Sequence, residues 1–218
     1  MKRTLLVIAS LTWAILMISI VLGFAEEIKL VLLPNPQLDG GRPLMQVLKD
    51  RSSSRSFSSE KLSSQVLSNL LWAAFGINRP DTGNRTAPSA MNRQEINIYV
   101  ATADGLYLYE VKSHALKLIL SDDIRALTGR QDFVKEAPVN LIYVADFSKM
   151  GTASKEDKEL YSAADTGFIS QNVYLYCASE RLATVVRGSI DKQALAKAIK
   201  LRPDQKVILA QSVGYPKK

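Results

Sequence analysis

Cysteine and histidine are almost missing from this chain of 218 residues: Cys177 and His114 are the sole examples of each. One cysteine cannot close an intramolecular disulfide, so stability has to come from packing or from an oligomer interface. A lipid on a processed N-terminal cysteine is excluded as well, because Cys177 lies deep in the chain, within the apolar run VYLYCAS. There it reads as a small buried hydrophobe and not as a reactive thiol. One histidine rules out a histidine metal pair, and the place of His114 between two strand-like runs reads as a surface turn. Neither common glycine-rich phosphate loop occurs, nor a Gly-x-Ser-x-Gly turn. Acids are present, but no pair is set apart by its context, so a glycosidase has no support. Lys and Arg outnumber Asp and Glu by 28 to 21, for a net charge of +7, yet they are scattered and aromatics make up only 7%. That is a solvated basic surface and not a nucleic-acid footprint. An enzyme with so few reactive side chains borrows its chemistry from a cofactor.

What is present begins with Lys2 and Arg3, followed by an uncharged apolar run from Thr4 to Ala25 that ends in Gly23-Phe24-Ala25 before Glu26-Glu27. The pattern over 1–25 is that of a secretory signal peptide. The run is also long enough for a retained anchor, since a bilayer needs about 20 apolar residues. In either case the basic start stays inside, and the remainder is exported, to the periplasm or beyond. Without residues 1–25 the net charge falls from +7 to +5.

Pro34, Pro36, Gly40 and Gly41 mark residues 26–42 as an irregular arm, and 43–218 as one domain. A short helix after Pro43 places Leu44, Val47 and Leu48 on one face, and a second is capped by Ser63 or Ser64 and stopped by Gly76. Residues 78–93 form a long polar loop of the kind that is either functional or disordered. INIYVAT (96–102), LYLYEV (106–111) and LKLIL (116–120), with Asp104-Gly105 between the first two, read as an antiparallel meander. A helix over 121–129, a strand over 139–146, a long helix over 155–182, a strand over 184–190, a short helix over 191–200 and a last strand over 207–213 follow. Ala163, Ala164, Gly167, Ser170 and Ala178 give the long helix small positions where another backbone can approach, with bulk from Phe168, Leu175 and Leu182. The class is α+β, with helices around an antiparallel or mixed sheet.

RSSSRSF, residues 51–57, is the most distinctive stretch. Arg51 and Arg55 offer two forks of charged donors, and Ser52 and Ser53 add neutral ones. By itself it fits a polar linker, a modified loop or a cradle for a phosphate.

Other stretches narrow the choice. RSSSRSF, TAPSAMNRQE (86–95), DTGFISQNVYLYCAS (165–179), VVRGSI and QSVGYP, in that order, resemble the nitroreductase family of FMN-dependent oxidoreductases, from about Leu44 to Pro216. LLWAAFGINRP and GLYLYEVKSHALKLI are similar to the branch that includes the azoline oxidases of peptide-toxin biosynthesis. The resemblance implies an obligate dimer with FMN at the subunit interface. Arg51, Ser52, Ser53 and Arg55 match the phosphate motif. Pro88, Ser89, Ala90 and Asn92 match a loop that reaches the flavin of the second subunit. Val185, Val186, Arg187 and Gly188 match the segment whose backbone lies near flavin N5, and Gln131 falls where the family places a ring or ribityl contact. Three departures stand out: Ala90 replaces a common serine, Glu95 a common proline, and the chain stops at Lys218 where many relatives continue to a basic pair. The implied activity is hydride transfer in two half-reactions, from NAD(P)H or another donor to a small organic acceptor. Export makes NAD(P)H scarce and leaves a quinone, a flavoprotein or the substrate itself as donor. The alternative is a member of the fold that binds flavin or a related ligand without turnover.

Overall fold

The computed structural model describes residues 29–217; the proposed signal peptide and Lys218 lie outside them. The fold is α+β, a single seven-stranded sheet with helices on both faces. In the sheet the strands stand in the order β1 (Leu30–Leu32), β6 (Ala115–Leu120), β5 (Gly105–Glu110), β4 (Ile96–Thr102), β7 (Val139–Asp146), β9 (Gln205–Gly214), β8 (Ala183–Arg187). Every neighbouring pair is antiparallel. A separate two-stranded hairpin, β2 (Ile77–Arg79) with β3 (Asn84–Arg85), folds part of the long polar loop.

The meander follows from its turn chemistry. Gly105 takes φ 140°, and a Cβ there would run into the Leu120 carbonyl, so only glycine satisfies both the backbone angle and the close approach. Alternation then sorts side chains to two faces. Ile98, Val100, Leu141 and Tyr143 meet α2 (Ser64–Phe75) and α3 (Lys155–Ser179), while Tyr99, Ala101, Ile142 and Val144 meet Leu195 of α4 (Lys192–Ala198) and Ile199. Strand β7 is buried along its whole length, which fits its mostly apolar sequence, and its buried Asn140 and Asp146 are hydrogen-bonded. The two longer helices start on serine caps: Ser63 Oγ accepts from the Val66 N–H, and Ser154 Oγ from the Asp157 N–H.

The fold departs from the sequence expectations in several places. The irregular arm contains an edge strand: β1 pairs with β6, Leu30 opposite Lys117 and Leu32 opposite Ala115, because the free edge of β6 offers unpaired N–H and C=O groups. The helix expected over 121–129 shrinks to a single 3-10 turn, Arg125–Thr128; so short a segment does not nucleate an α-helix. The long helix ends at Ser179, where Arg181 at φ 57° and a bond from the Leu182 N–H to the Cys177 carbonyl reverse the chain. In α1 (Leu44–Asp50) only Val47 is buried; Leu44 is 60% and Leu48 44% exposed. Cys177 is fully buried.

His114 is a half-buried tie and not a surface turn residue. Ser68 Oγ donates to the Pro34 carbonyl at 2.6 Å, which commits its one proton. His114 Nε2, 2.7 Å from that oxygen, must then be the donor, which leaves Nδ1 to accept from the Tyr109 hydroxyl at 2.8 Å. Burial lowers the imidazole pKa, so the neutral tautomer persists and pins the arm to α2 and β5.

Candidate cofactor-binding site

RSSSRSF runs extended between the edge of β8 and the C-terminal tail. The Ser54 N–H donates to the Thr184 carbonyl at 2.9 Å, the Ser58 N–H to the Tyr215 carbonyl at 2.8 Å and the Lys217 N–H to the Ser56 carbonyl at 3.4 Å. An extended chain sends alternate side chains to opposite sides. On one side the Arg51 guanidinium lies 5.3 Å from the centre of the Tyr174 ring, and Ser53 Oγ is 2.9 Å from the Tyr174 hydroxyl. That hydroxyl also accepts from the Val186 N–H at 2.9 Å. Ser52 and Ser54 line a cavity of about 340 Å³ with Tyr174, Thr184, Arg42, Arg181 and Asp50. Arg55 projects into solvent.

Tyr174 is the residue that sequence reasoning missed. It sits in an apolar run and carried no polar signal, yet it joins Arg51, Ser53 and the backbone of β8 in one place. Gln131 belongs to a segment tied to the other end of β8. The neighbouring Arg130 N–H donates to the Ser189 carbonyl at 3.0 Å, and Gln131 Oε1 is shielded from solvent with no hydrogen-bond partner. A shielded, unpaired acceptor is costly unless something fills its valence. Gly188 is exposed at the end of β8, and a Cβ there would stand 3.5 Å from Leu209, so packing alone does not require glycine.

The fourth segment lies elsewhere. The Ala90 N–H donates to Asp165 Oδ2 at 2.9 Å, and Asp165 precedes Tyr174 by nine residues of α3, about 13 Å along the helix axis. Pro88 is exposed, Ser89 Oγ accepts from the Gln94 N–H at 3.0 Å, and Asn92 donates to Asn84 at 2.9 Å. Met91, Asn92 and Gln94 hold φ values of 54°, 52° and 50°, a strained set for non-glycine residues. Within one chain, then, 51–55 and β8 meet at Tyr174, the 129–131 segment is tied to the far end of β8, and 88–92 is tied instead to Asp165.

Comparison with known proteins shows the family. The profile of the nitroreductase family matches residues 48–215. The chain belongs to the nitroreductase family. A nitroreductase-family protein of Methanocaldococcus jannaschii is 30% identical over 169 residues, which span 73% of this chain and 85% of that one. A nitroreductase-family structure from Ralstonia eutropha superposes with a TM-score of 0.83 at 42% identity, covering 87% of this chain and 90% of the other. One from Desulfovibrio desulfuricans, solved in complex with FMN, shares the fold at a TM-score of 0.59 and 24% identity, over 82% and 89% of the two chains. The general type of this nitroreductase-family chain is therefore an oxidoreductase.

Tyr174→Phe is expected to keep the ring under Arg51 but strip the hydroxyl from Ser53 and from the Val186 N–H. An orphaned buried donor costs about 1–3 kcal/mol, so the urea midpoint should fall accordingly. An unchanged midpoint would show that the hydroxyl does not hold β8 to the serine segment.

Proposed function

We propose that this chain is an exported, FMN-dependent oxidoreductase that acts as a homodimer and moves two electrons as hydride, in two half-reactions, from a reduced donor to a small organic acceptor. The observation that carries the reading is the Tyr174 junction, which sets a charged phosphate-type segment against the edge of β8.

The residues present fit FMN. Arg51 and Arg55 carry planar forks suited to a phosphate, with the hydroxyls of Ser52 and Ser53 as neutral donors. The shielded Oε1 of Gln131 calls for a donor such as a ring N–H or a ribityl hydroxyl. The end of β8 from Val185 to Gly188 presents backbone to the same space. The flavin, when bound, supplies the hydride chemistry; the protein orients it, excludes water and limits access to one face. No side-chain acid or base is required for hydride transfer itself.

Two features favour a dimer. Leu44, Met45 and Leu48 of α1 and Phe168 of α3 are exposed, next to the small outward positions Ala163, Ala164 and Gly167; exposed apolar surface of this kind marks an interface. The 88–92 loop, held away from its own chain's Arg51–Arg55 segment, is free to complete the site of a second copy. Export rests on the basic start and apolar run of residues 1–25, and places the enzyme where the donor is either scarce NAD(P)H or a different reductant. Among the branches of the family, the azoline-oxidase branch fits best on the sequence of residues 70–80 and 105–119.

The exported form, purified, is expected to be yellow, to bleach on reduction and to sediment as a dimer. Protein that stays colourless after refolding with excess FMN would refute the reading, and a flavin-loaded monomer would refute the shared site. Mass spectrometry of the mature N-terminus reads whether the chain is cut after Ala25.

A further inference from the structure

Arg187 is 6% exposed, and every hydrogen bond its guanidinium makes goes to a neutral group. Nη1 donates to the Thr128 carbonyl. Nη2 donates to Thr128 Oγ1 at 3.0 Å, Asn140 Oδ1 at 2.5 Å and Ser212 Oγ at 3.1 Å, and Nε to Ser212 Oγ at 3.3 Å. Arg42, Arg125, Arg202 and Lys61 have carboxylate partners; among the described residues Arg187 has none. Burial lowers its pKa to about 10, which still leaves it a cation at neutral pH. A buried charge is normally paired, and here the chain surrounds it with hydroxyls, an amide and a carbonyl. Asn140, fully buried itself, occupies the position where an aspartate of the same shape would have closed an ion pair.

The location of this charge gives it a use. Arg187 is the last residue of β8, and Gly188 follows. Gly129 packs so closely against the guanidinium that a Cβ there would collide with Nη1; its φ of −177° is open to any residue, so the lack of a side chain serves the close approach. Two residues on is Gln131 with its unpaired Oε1, and the bond from Arg130 to Ser189 locks this segment to the end of β8. The cation therefore stands where the 129–131 segment is tied to the end of β8, next to Gly188 in the chain and against Gly129 in space.

We propose that Arg187 is an electrostatic tuning residue: its uncompensated positive charge, fixed behind β8, favours the reduced over the oxidised form of the flavin bound there. This rests on the FMN reading above. A hydride brings one proton and two electrons, so reduction adds one negative charge to the bound ring unless a second proton follows. A preorganised cation in a site of low dielectric stabilises that added charge without any reorganisation. Thr128, Asn140 and Ser212 matter because they hold the guanidinium without neutralising it.

The test is potentiometric and uses the FMN-loaded protein. Arg187→Gln is expected to reduce the preference for reduced over oxidised FMN about tenfold, which for a two-electron couple is a fall in midpoint potential of about 30 mV. Arg187→Lys, which keeps the charge but loses the fork, is expected to stay near wild type. Asn140→Asp cancels the charge by another route and should shift the potential in the same direction as Arg187→Gln, while Ser212→Ala, which changes no charge, should not. A purely structural Arg187 would make the Gln and Lys variants alike, and that outcome overturns the proposal. So does an unmoved potential in Asn140→Asp with FMN bound. A wild-type protein that binds no FMN at all defeats the parent reading as well, and is told apart by its missing spectrum.

Discussion

Replacing Arg51 and Arg55 together by alanine is expected to weaken FMN binding by about a hundredfold to ten-thousandfold while leaving the fold in place. Each charge-assisted hydrogen bond to a phosphate contributes about 1.5–3 kcal/mol, and every 1.4 kcal/mol or so is a factor of ten in affinity. Little of that loss should reappear as instability. Arg55 is exposed and makes no ion pair among the described residues. Arg51 leans on the Tyr174 ring at 5.3 Å, a contact worth about 0.5–1 kcal/mol at such a site. The single variants should divide accordingly: Arg51→Ala loses some stability and much affinity, Arg55→Ala affinity alone. Fluorescence titration of the apoprotein with FMN, alongside urea unfolding, separates the two effects. An unchanged dissociation constant in the double variant would remove the phosphate from this segment.

The sheet was legible in the sequence where local chemistry and burial agree. Strand β4 begins and ends where INIYVAT does, and β7 where VNLIYVAD does, because apolar runs bounded by turns or a proline have one good use in a chain of this composition. Elements whose state is decided by a distant partner were not legible. Leu30–Leu32 lies in a stretch marked by proline and glycine, and only the free edge of β6 makes it a strand. His114 looked like a turn residue because nothing local says that Ser68, 46 residues away, will meet its ring. Most of the candidate site was readable as motifs, since charged and hydroxyl side chains at fixed spacing carry their own chemistry. Tyr174 was not, because its role comes from helix phase: the same face of α3 that buries Ile169, Val173 and Cys177 turns its hydroxyl toward Ser53 and Val186. The inward turn of Arg187 was likewise invisible, because a strand pattern tells which side a residue faces but not what lies there.

Glu95 offers the other large effect, and here the direction is decided by linkage. It is fully buried, and neither of its carboxyl oxygens has a hydrogen-bond partner. Burial raises its pKa most, its own backbone N–H pulls it down, and nearby Asp165 raises it again, with Ser162 pulling the other way; the net direction is up. Lys149 also feels Glu95, but its ammonium is spent on the Gln94 carbonyl and Asn97. The folded state therefore keeps the Glu95 proton to higher pH than the unfolded chain, whose glutamates titrate near 4.5. Stability contributed by the protonated form is complete below that value and is lost as pH rises through the folded pKa. Asp123 and Asp146 act in the opposite sense. The hydrogen bond from Arg125 lowers the first, and bonds from Ser148 and Arg202 outweigh burial at the second, so their stability is lost as pH falls. Glu95→Gln keeps the shape of the neutral acid and removes its titration, so the gain in urea midpoint over wild type should be near zero at pH 4 and grow steadily toward pH 8. Asp165 also holds the Ala90 N–H, so a charge arising on Glu95 at high pH should disturb that contact and loosen the strained 88–92 loop. FMN affinity in the wild type should then decline with pH more steeply than in Glu95→Gln. A midpoint difference that stays constant from pH 4 to pH 8 would mean that Glu95 is ionised throughout, and would separate the loop from this acid pair.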